Sequence, residues 1–197
     1  MTQHYFSKKP TSQLHKKTFK YTFKELRFEF ASASGVFSKD YIDRGTEILL
    51  ENVRISKNGH VLDMGCGYGI IGICLKKTNP GITVVSSDVN ERAVKLATKN
   101  ARNNKVVITT VLSNLYENIP QTFDIVIINL PTHAGKELCF AMIEQSFQHL
   151  NSTGSLQVVG RHQKGGRSFE EKMQEIFGNV TAIAKESGFR VYMSTKN

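Results

Sequence analysis

The sequence predicts a doubly wound α/β chain with a mostly parallel sheet of seven strands, a C-terminal antiparallel hairpin and a separate N-terminal β-hairpin. Three observations predict it. From residue 60 onward, apolar runs of strand length alternate with segments of helical spacing. Phe123-Asp-Ile-Val-Ile-Ile is a nearly continuous apolar run, the mark of a central parallel strand covered on both faces. Val61-Leu-Asp-Met-Gly-Cys-Gly-Tyr-Gly-Ile-Ile-Gly joins such a strand to a helix through a glycine turn. The arrangement is Rossmann-like, and its ligands belong at the C-terminal edge of the sheet.

The elements follow in order. Residues 1–18 are polar and basic, contain Pro10, and read as an extended arm before a single domain over 19–197. Phe19-Lys-Tyr-Thr-Phe and Leu26-Arg-Phe-Glu-Phe alternate with period two, predicting a hairpin over 19–32 with one buried face. Gly35-Val-Phe-Ser-Lys-Asp is a loop, and a helix begins near Asp43 and carries Ile48, Leu49 and Leu50. The main sheet opens with a strand at 60–64 and its helix at 70–78. A second strand at 82–87 ends at Asp88, and Asn90 caps a helix bearing Ala93, Val94, Leu96 and Ala97. Strands follow at 106–112 and 123–128, then a helix at 136–150 with Leu138, Met142, Ile143 and Phe147 inward. A fifth strand at 155–160 and a helix at 169–177 precede strands at 180–184 and 189–193 around Ser187-Gly188.

Composition narrows the function. The chain has 197 residues, 40% of them hydrophobic and 22% charged, as a soluble globular domain has. No apolar run nears the roughly 18 residues of a membrane span, and residues 1–10 lack the apolar core of a signal peptide. A cytoplasmic location without membrane attachment is expected. Cys66, Cys74 and Cys139 are too widely spaced for a disulfide framework or a zinc site, so no metal is expected. The net charge of +9 suits a polyanionic partner such as RNA. Basic residues gather before residue 28 (Lys8, Lys9, His15, Lys16, Lys17, Lys20, Lys24, Arg27) and again at Arg161, His162, Lys164 and Arg167.

The glycine turn carries the chemistry. Gly67, Gly69 and Gly72 fit the dinucleotide spacing G-x-G-x-x-G, a weak signal alone. A pyrophosphate on a helix N-terminus wants bare amides and no nearby anion. Asp63 would repel it, whereas it suits S-adenosylmethionine, which has no phosphate and carries a sulfonium and an ammonium. Cys66 fills the loop. Asp88, about 20 residues beyond the glycines, is placed to bind ribose hydroxyls, with Val89 beside it. Ser113-Asn114, at the end of the third strand, could meet an adenine or could be plain turn chemistry. The fourth strand ends in Asn129-Leu130-Pro131-Thr132. An exocyclic ring amine is a poor nucleophile because its lone pair is delocalised. Acceptors at its two N–H groups favour the tetrahedral nitrogen of the transition state. The Asn129 side-chain oxygen and the Leu130 carbonyl could serve, on a turn stiffened by Pro131. The same residues also read as an ordinary Asn-x-Pro turn.

These residues resemble a known family. His4-Tyr-Phe-Ser-Lys-Lys-Pro-Thr-Ser, Gly35-Val-Phe-Ser-Lys-Asp, Asp43-Arg-Gly-Thr, the Asp63 to Gly69 loop, Ser113-Asn-Leu-Tyr-Glu-Asn, Asn129-Leu-Pro and Ala134-Gly-Lys span most of the chain. Together they resemble class I methyltransferases of the small-domain type, as in ribosomal RNA guanine-N2 methyltransferases: the catalytic half of small-subunit methyltransferase C and its short relatives. The resemblance implies methyl transfer from S-adenosylmethionine to guanine N2, with ribosomal RNA or a ribosomal subunit as partner, by a monomer or homodimer. It places Asp63, Gly65, Cys66, Gly67, Gly69, Asp88, Val89, Ser113, Asn114, Phe37 and Asn129 around the donor. Asn129 to Thr132 become catalytic, and His133, Lys136, Arg161 and His162 contact substrate. The family's usual tetrapeptide is Asn-Pro-Pro followed by an apolar or aromatic residue. Here Leu130 replaces the first Pro and Thr132 the last position, so base placement passes to Phe37 or His133. Adenine N6, a glutamine amide, an RNA-binding module with a vestigial donor pocket, and NAD chemistry are the rival readings.

Overall fold

The computed structural model describes residues 13, 15–36 and 42–197. Strands β1 (Lys16–Phe23) and β2 (Leu26–Ala33) form the N-terminal hairpin, followed by helix α1 (Arg44–Asn52). Then come β3 (His60–Met64), α2 (Ile70–Thr78), β4 (Thr83–Asp88), α3 (Glu91–Asn103), β5 (Thr109–Leu112) and β6 (Phe123–Asn129). The chain continues through α4 (Lys136–Gln148), β7 (Leu150–Arg161), α5 (Arg167–Phe177), β8 (Thr181–Glu186) and β9 (Phe189–Thr195).

The seven-stranded sheet has the order β5-β4-β3-β6-β7-β9-β8, with β9 antiparallel to both its neighbours. Alternation along β6 divides the core. Ile125 and Ile127 join the cluster that holds Ile48, Ile71 and Leu96, whereas Val126 and Ile128 join that of Ile143 and Met173. Helices α1 to α3 therefore cover one face, and α4 and α5 the other. Strand order reverses between β3 and β6, so the ligand crevice of an open α/β sheet opens where Asp63 and Asn129 end their strands.

Several boundaries differ from expectation. The third sheet strand starts at Thr109 rather than 106, because Val106 N–H donates to the Ala101 carbonyl and Val107 is 85% exposed. Strand β7 starts at Leu150, five residues early, since Leu150 pairs with Phe123 before a register shift. Helix α4 buries Cys139, Met142, Ile143 and Ser146; Leu138 and Phe147 are only partly covered. Strand β1 starts at Lys16, inside the stretch read as arm, because Lys16 and Thr18 pair with Ala33 and Ala31. The rest of that stretch, apart from Gln13 and His15, lies outside the described residues.

An isolated two-stranded hairpin is marginal in water, and this one is held from its open edge by a helix. Ala31 N–H donates to Asn100 Oδ1 (2.8 Å), and Asn100 Nδ2 donates back to the Ala31 carbonyl (2.8 Å). One turn later Asn104 repeats the exchange with Glu29, at 3.1 and 2.8 Å. Four helical residues rise about 6 Å and two strand residues about 6.8 Å, so the two amides stand in for a third strand. Asn100 Nδ2 also donates to the Tyr68 carbonyl (2.9 Å), which joins the hairpin to the glycine turn. Exchanging Asn100 for leucine strips three buried backbone groups of partners, each worth about 1–3 kcal/mol. We expect a loss of at least about 3 kcal/mol in urea unfolding; an unchanged midpoint would refute this account of the hairpin.

Candidate active site

Asp63, near the end of β3, is only 1% exposed. Its Oδ2 accepts from Gly72 N–H in the first turn of α2 (2.9 Å). This approach is why residue 72 is glycine: a Cβ there would lie 2.4 Å from Ser86 Oγ and 3.2 Å from Asp63 Oδ2. Asp63 Oδ1 is buried and accepts from no described residue. Burial pushes the carboxyl up to about 7, and the charge of Asp88 adds to the rise. The Gly72 amide opposes it, helped by the nearby Ser86, whose hydroxyl stops short of hydrogen-bonding geometry.

Asp88 ends β4. Its Oδ2 accepts from Gly67 N–H (2.9 Å), at a left-handed φ of 56°, and its Oδ1 from Asn90 N–H (2.8 Å). Burial raises its pKa against these two bonds and against the Val89 amide. Asn90 caps α3 as expected, and its Nδ2 donates to the Gly35 carbonyl (2.7 Å), tying down the loop after β2.

The amides of the glycine turn are already committed. Gly65 and Cys66 N–H donate to the Ser87 carbonyl at 2.8 and 2.9 Å, and Gly69 N–H to the Cys66 carbonyl at 2.9 Å. With Gly67 and Gly72 bound to carboxylates, no bare amide cradle of the kind a pyrophosphate needs is left at these positions. An orphaned carboxylate oxygen beside a second acid instead fits a cationic ligand. The Cys66 thiol is buried and pushed well above its ordinary pKa, so it fills space as expected.

Across the crevice, Asn129 ends β6. Its Nδ2 donates to Thr46 Oγ1 (2.8 Å) and to Asp43 Oδ2 (3.2 Å), both at the start of α1. An ionised carboxylate only accepts, so the amide nitrogen must face α1 and Oδ1 must face away. The next residues form an inverse γ-turn, with Pro131 at φ −78° and ψ 68°. Thr132 N–H donates to the Leu130 carbonyl (2.9 Å), so that carbonyl, expected to be free, keeps one lone pair. The Leu130 side chain is buried with α4.

Residues 27–193 match the family model described as methyltransferase small domain. The chain belongs to this methyltransferase family. Its members use S-adenosylmethionine, and the carboxylates described above suit that cation. The protein YbxB of Bacillus subtilis is 36% identical over 200 residues, with each chain fully covered. Ribosomal RNA small subunit methyltransferase C of Hamiltonella defensa is 30% identical over 95% of this chain and 55% of its own. Among solved structures, the 16S rRNA N2 G1207 methyltransferase (RsmC) of T. thermophilus, in complex with AdoMet and guanosine, superposes with a TM-score of 0.84. It is 24% identical over 95% of this chain and 52% of that one. The chain thus spans about half the length of its methyltransferase C relatives.

The other expected methyltransferase site residues are distributed unevenly. Val89 is half-buried next to Asp88. Ser113 Oγ donates to the Leu115 carbonyl (2.8 Å) and accepts from Asn118 N–H (3.0 Å), so its one proton closes the loop. Asn114 is exposed and donates to Glu117 (2.7 Å). Thr132, His133 and Lys136 are exposed after the γ-turn. Phe37 lies outside the described residues. Arg161 stacks on Phe189 (4.8 Å), and His162 Nδ1 lies 2.9 Å from Tyr192 Oη. With Lys164, Lys185 and Arg190 they line a groove of about 540 Å³. Arg161 stands two residues beyond Val159, which pairs with Asn129, so the groove adjoins the crevice. The sequence offers Asp43 as a helix start and, by the family resemblance, Asp43-Arg-Gly-Thr as a motif whose Gly45-Thr46 closes over the site; the bonds of Asp43 and Thr46 to Asn129 are not visible in it.

Proposed function

We propose that this chain transfers the methyl group of S-adenosylmethionine to an exocyclic ring amine, guanine N2 of ribosomal RNA. The observation that carries the reading is the Asn129 amide, whose nitrogen is held by α1 and whose oxygen accepts from no described residue. Bound S-adenosylmethionine supplies an activated methyl on a sulfonium. Asp63 Oδ1 would face its positive charge, and the free lone pairs of Asp88 would take ribose hydroxyls. Gly65, Cys66, Gly67 and Gly69 shape the floor, with Val89 and Asn114 on the adenine side. Asn129 Oδ1 and the remaining lone pair of the Leu130 carbonyl would accept the two amine N–H groups, drawing the nitrogen out of conjugation. No strong base is needed, because the proton can leave late; alignment does most of the work. Lys136, Arg161 and His162 would meet RNA phosphates beside the target, and His133 the base itself.

The test is incubation with radiolabelled S-adenosylmethionine and two pools, unmodified ribosomal RNA and partly assembled ribosomal subunits, followed by digestion to nucleosides. Label in N2-methylguanosine is the expected result. Label in N6-methyladenosine or in protein would keep methyl transfer and overturn the substrate. Donor binding with no transfer to either pool would favour the RNA-binding module.

A further inference from the structure

We infer that Asp43 and Thr46 are positioning residues that set which end of the Asn129 amide faces the substrate. The inference rests on the role of Asn129 proposed above. A primary amide has two ends of nearly equal shape and opposite hydrogen-bonding sense. Turned one way, Asn129 offers an acceptor to a target amine. Turned the other way, it sets N–H against N–H, and the amine is repelled. Strand β6 does not decide between these, because rotation of the terminal amide leaves the backbone untouched. The decision comes from α1, 83 and 86 residues earlier in the chain.

Asp43 is itself fixed. Its Oδ2 accepts from Thr46 N–H (3.1 Å), the N-cap bond of α1, so the carboxylate cannot swing away from Asn129. Flipping the amide would press its oxygen against that carboxylate oxygen. Gly45 permits the arrangement: a Cβ there would lie 2.9 Å from Asp43 Oδ2 and 3.0 Å from Phe189 Cε1. The Thr46 hydroxyl is not part of the cap, which uses only its backbone amide. It lies in a residue 4% exposed and accepts the shorter of the two Asn129 bonds. Helix capping therefore accounts for Asp43 but not for the Thr46 hydroxyl: the acceptor-only carboxylate selects the end of the amide, and the hydroxyl, accepting the shorter bond, holds it in that orientation.

Thr46→Val keeps the shape and removes the acceptor. Its kcat is expected to fall at least about tenfold, with the donor Kd and the substrate KM within about threefold of wild type. Thr46→Ser should restore the rate. In an Asn129→Ala background, Thr46→Val should cost nothing further, because coupled residues are non-additive. The side-chain amide protons of Asn129, assigned by their loss in Asn129→Ala, should be protected from solvent exchange in wild type and unprotected in Thr46→Val. That NMR readout requires no substrate. Protection unchanged in Thr46→Val, or full additivity of the two substitutions, would overturn the positioning role. If Asn129→Ala kills transfer while Thr46→Val is fully active, only this inference fails. If Asn129→Ala remains active, the proposed role of Asn129 fails, and the positioning role with it.

Discussion

Asn129→Ala is expected to lower methyl transfer about 100- to 1,000-fold, the range for removing one group aimed at transition-state charge. Donor affinity should change little, because the carboxylates of β3 and β4 lie on the other side of the crevice. Asn129→Asp separates two explanations of such a loss. A carboxylate is a stronger acceptor than an amide, so acceptor strength alone predicts that this variant works. In this fold it would face Asp43, whose oxygen lies 3.2 Å from the present amide nitrogen. Two anions there repel, and the new side chain must turn away or bind a proton. We therefore expect Asn129→Asp to be as inactive as Asn129→Ala in single-turnover assays, with donor binding retained in calorimetry. An active Asn129→Asp would mean that orientation by α1 is unimportant.

What could be read in advance was periodic and local. The β6 run, the turn at Gly65 to Gly69 and the Asn90 cap are each set by residues a few positions apart, and the fold places all three as expected. The closing turn at Ser187-Gly188 is of the same kind, with φ of 49° and 77°. The early part of β7 was illegible because Asn151-Ser-Thr is polar and looks like a loop. Its extended shape depends on distant bonds, Thr153 N–H to the Lys196 carbonyl and Lys196 N–H to the Gly154 carbonyl, both 2.8 Å. The roles of Asn100 and Asn104 were hidden for the same reason: their partners lie 69 and 75 residues away. The site divides along this line. Asp63 and Asp88 follow from their strand ends, whereas the direction of the Asn129 amide depends on α1 and no spacing reveals it. Charge alone could not show that the basic loop at Arg161 adjoins the crevice; the β6–β7 register does.

The second large effect concerns Asp63, whose burial has a direction in pH. Its carboxyl lies at about 7 in the folded chain, against an ordinary value near 3.8. A folded-state pKa raised in this way stabilises the ligand-free protein most below the unfolded value, and that contribution fades as pH rises through about 7. A bound cation reverses the balance, because it favours the ionised form. Affinity for S-adenosylmethionine should therefore rise with pH from 5.5 to 7, approaching about tenfold per unit at the acid end. Binding at pH 6 should release a proton, visible by calorimetry in buffers of different ionisation enthalpy. Asp63→Asn keeps an oxygen for the Gly72 amide but turns an uncharged NH2 toward the ligand. We expect it to bind about 30-fold more weakly or worse at pH 7.5, as loss of a buried charge partner costs 2–5 kcal/mol. Its pH slope should flatten, leaving the smaller contribution of Asp88, whose three amide partners oppose its own upward shift. Equal affinity in the variant, or a wild-type affinity flat across this range, would mean that Asp63 serves only to cap α2.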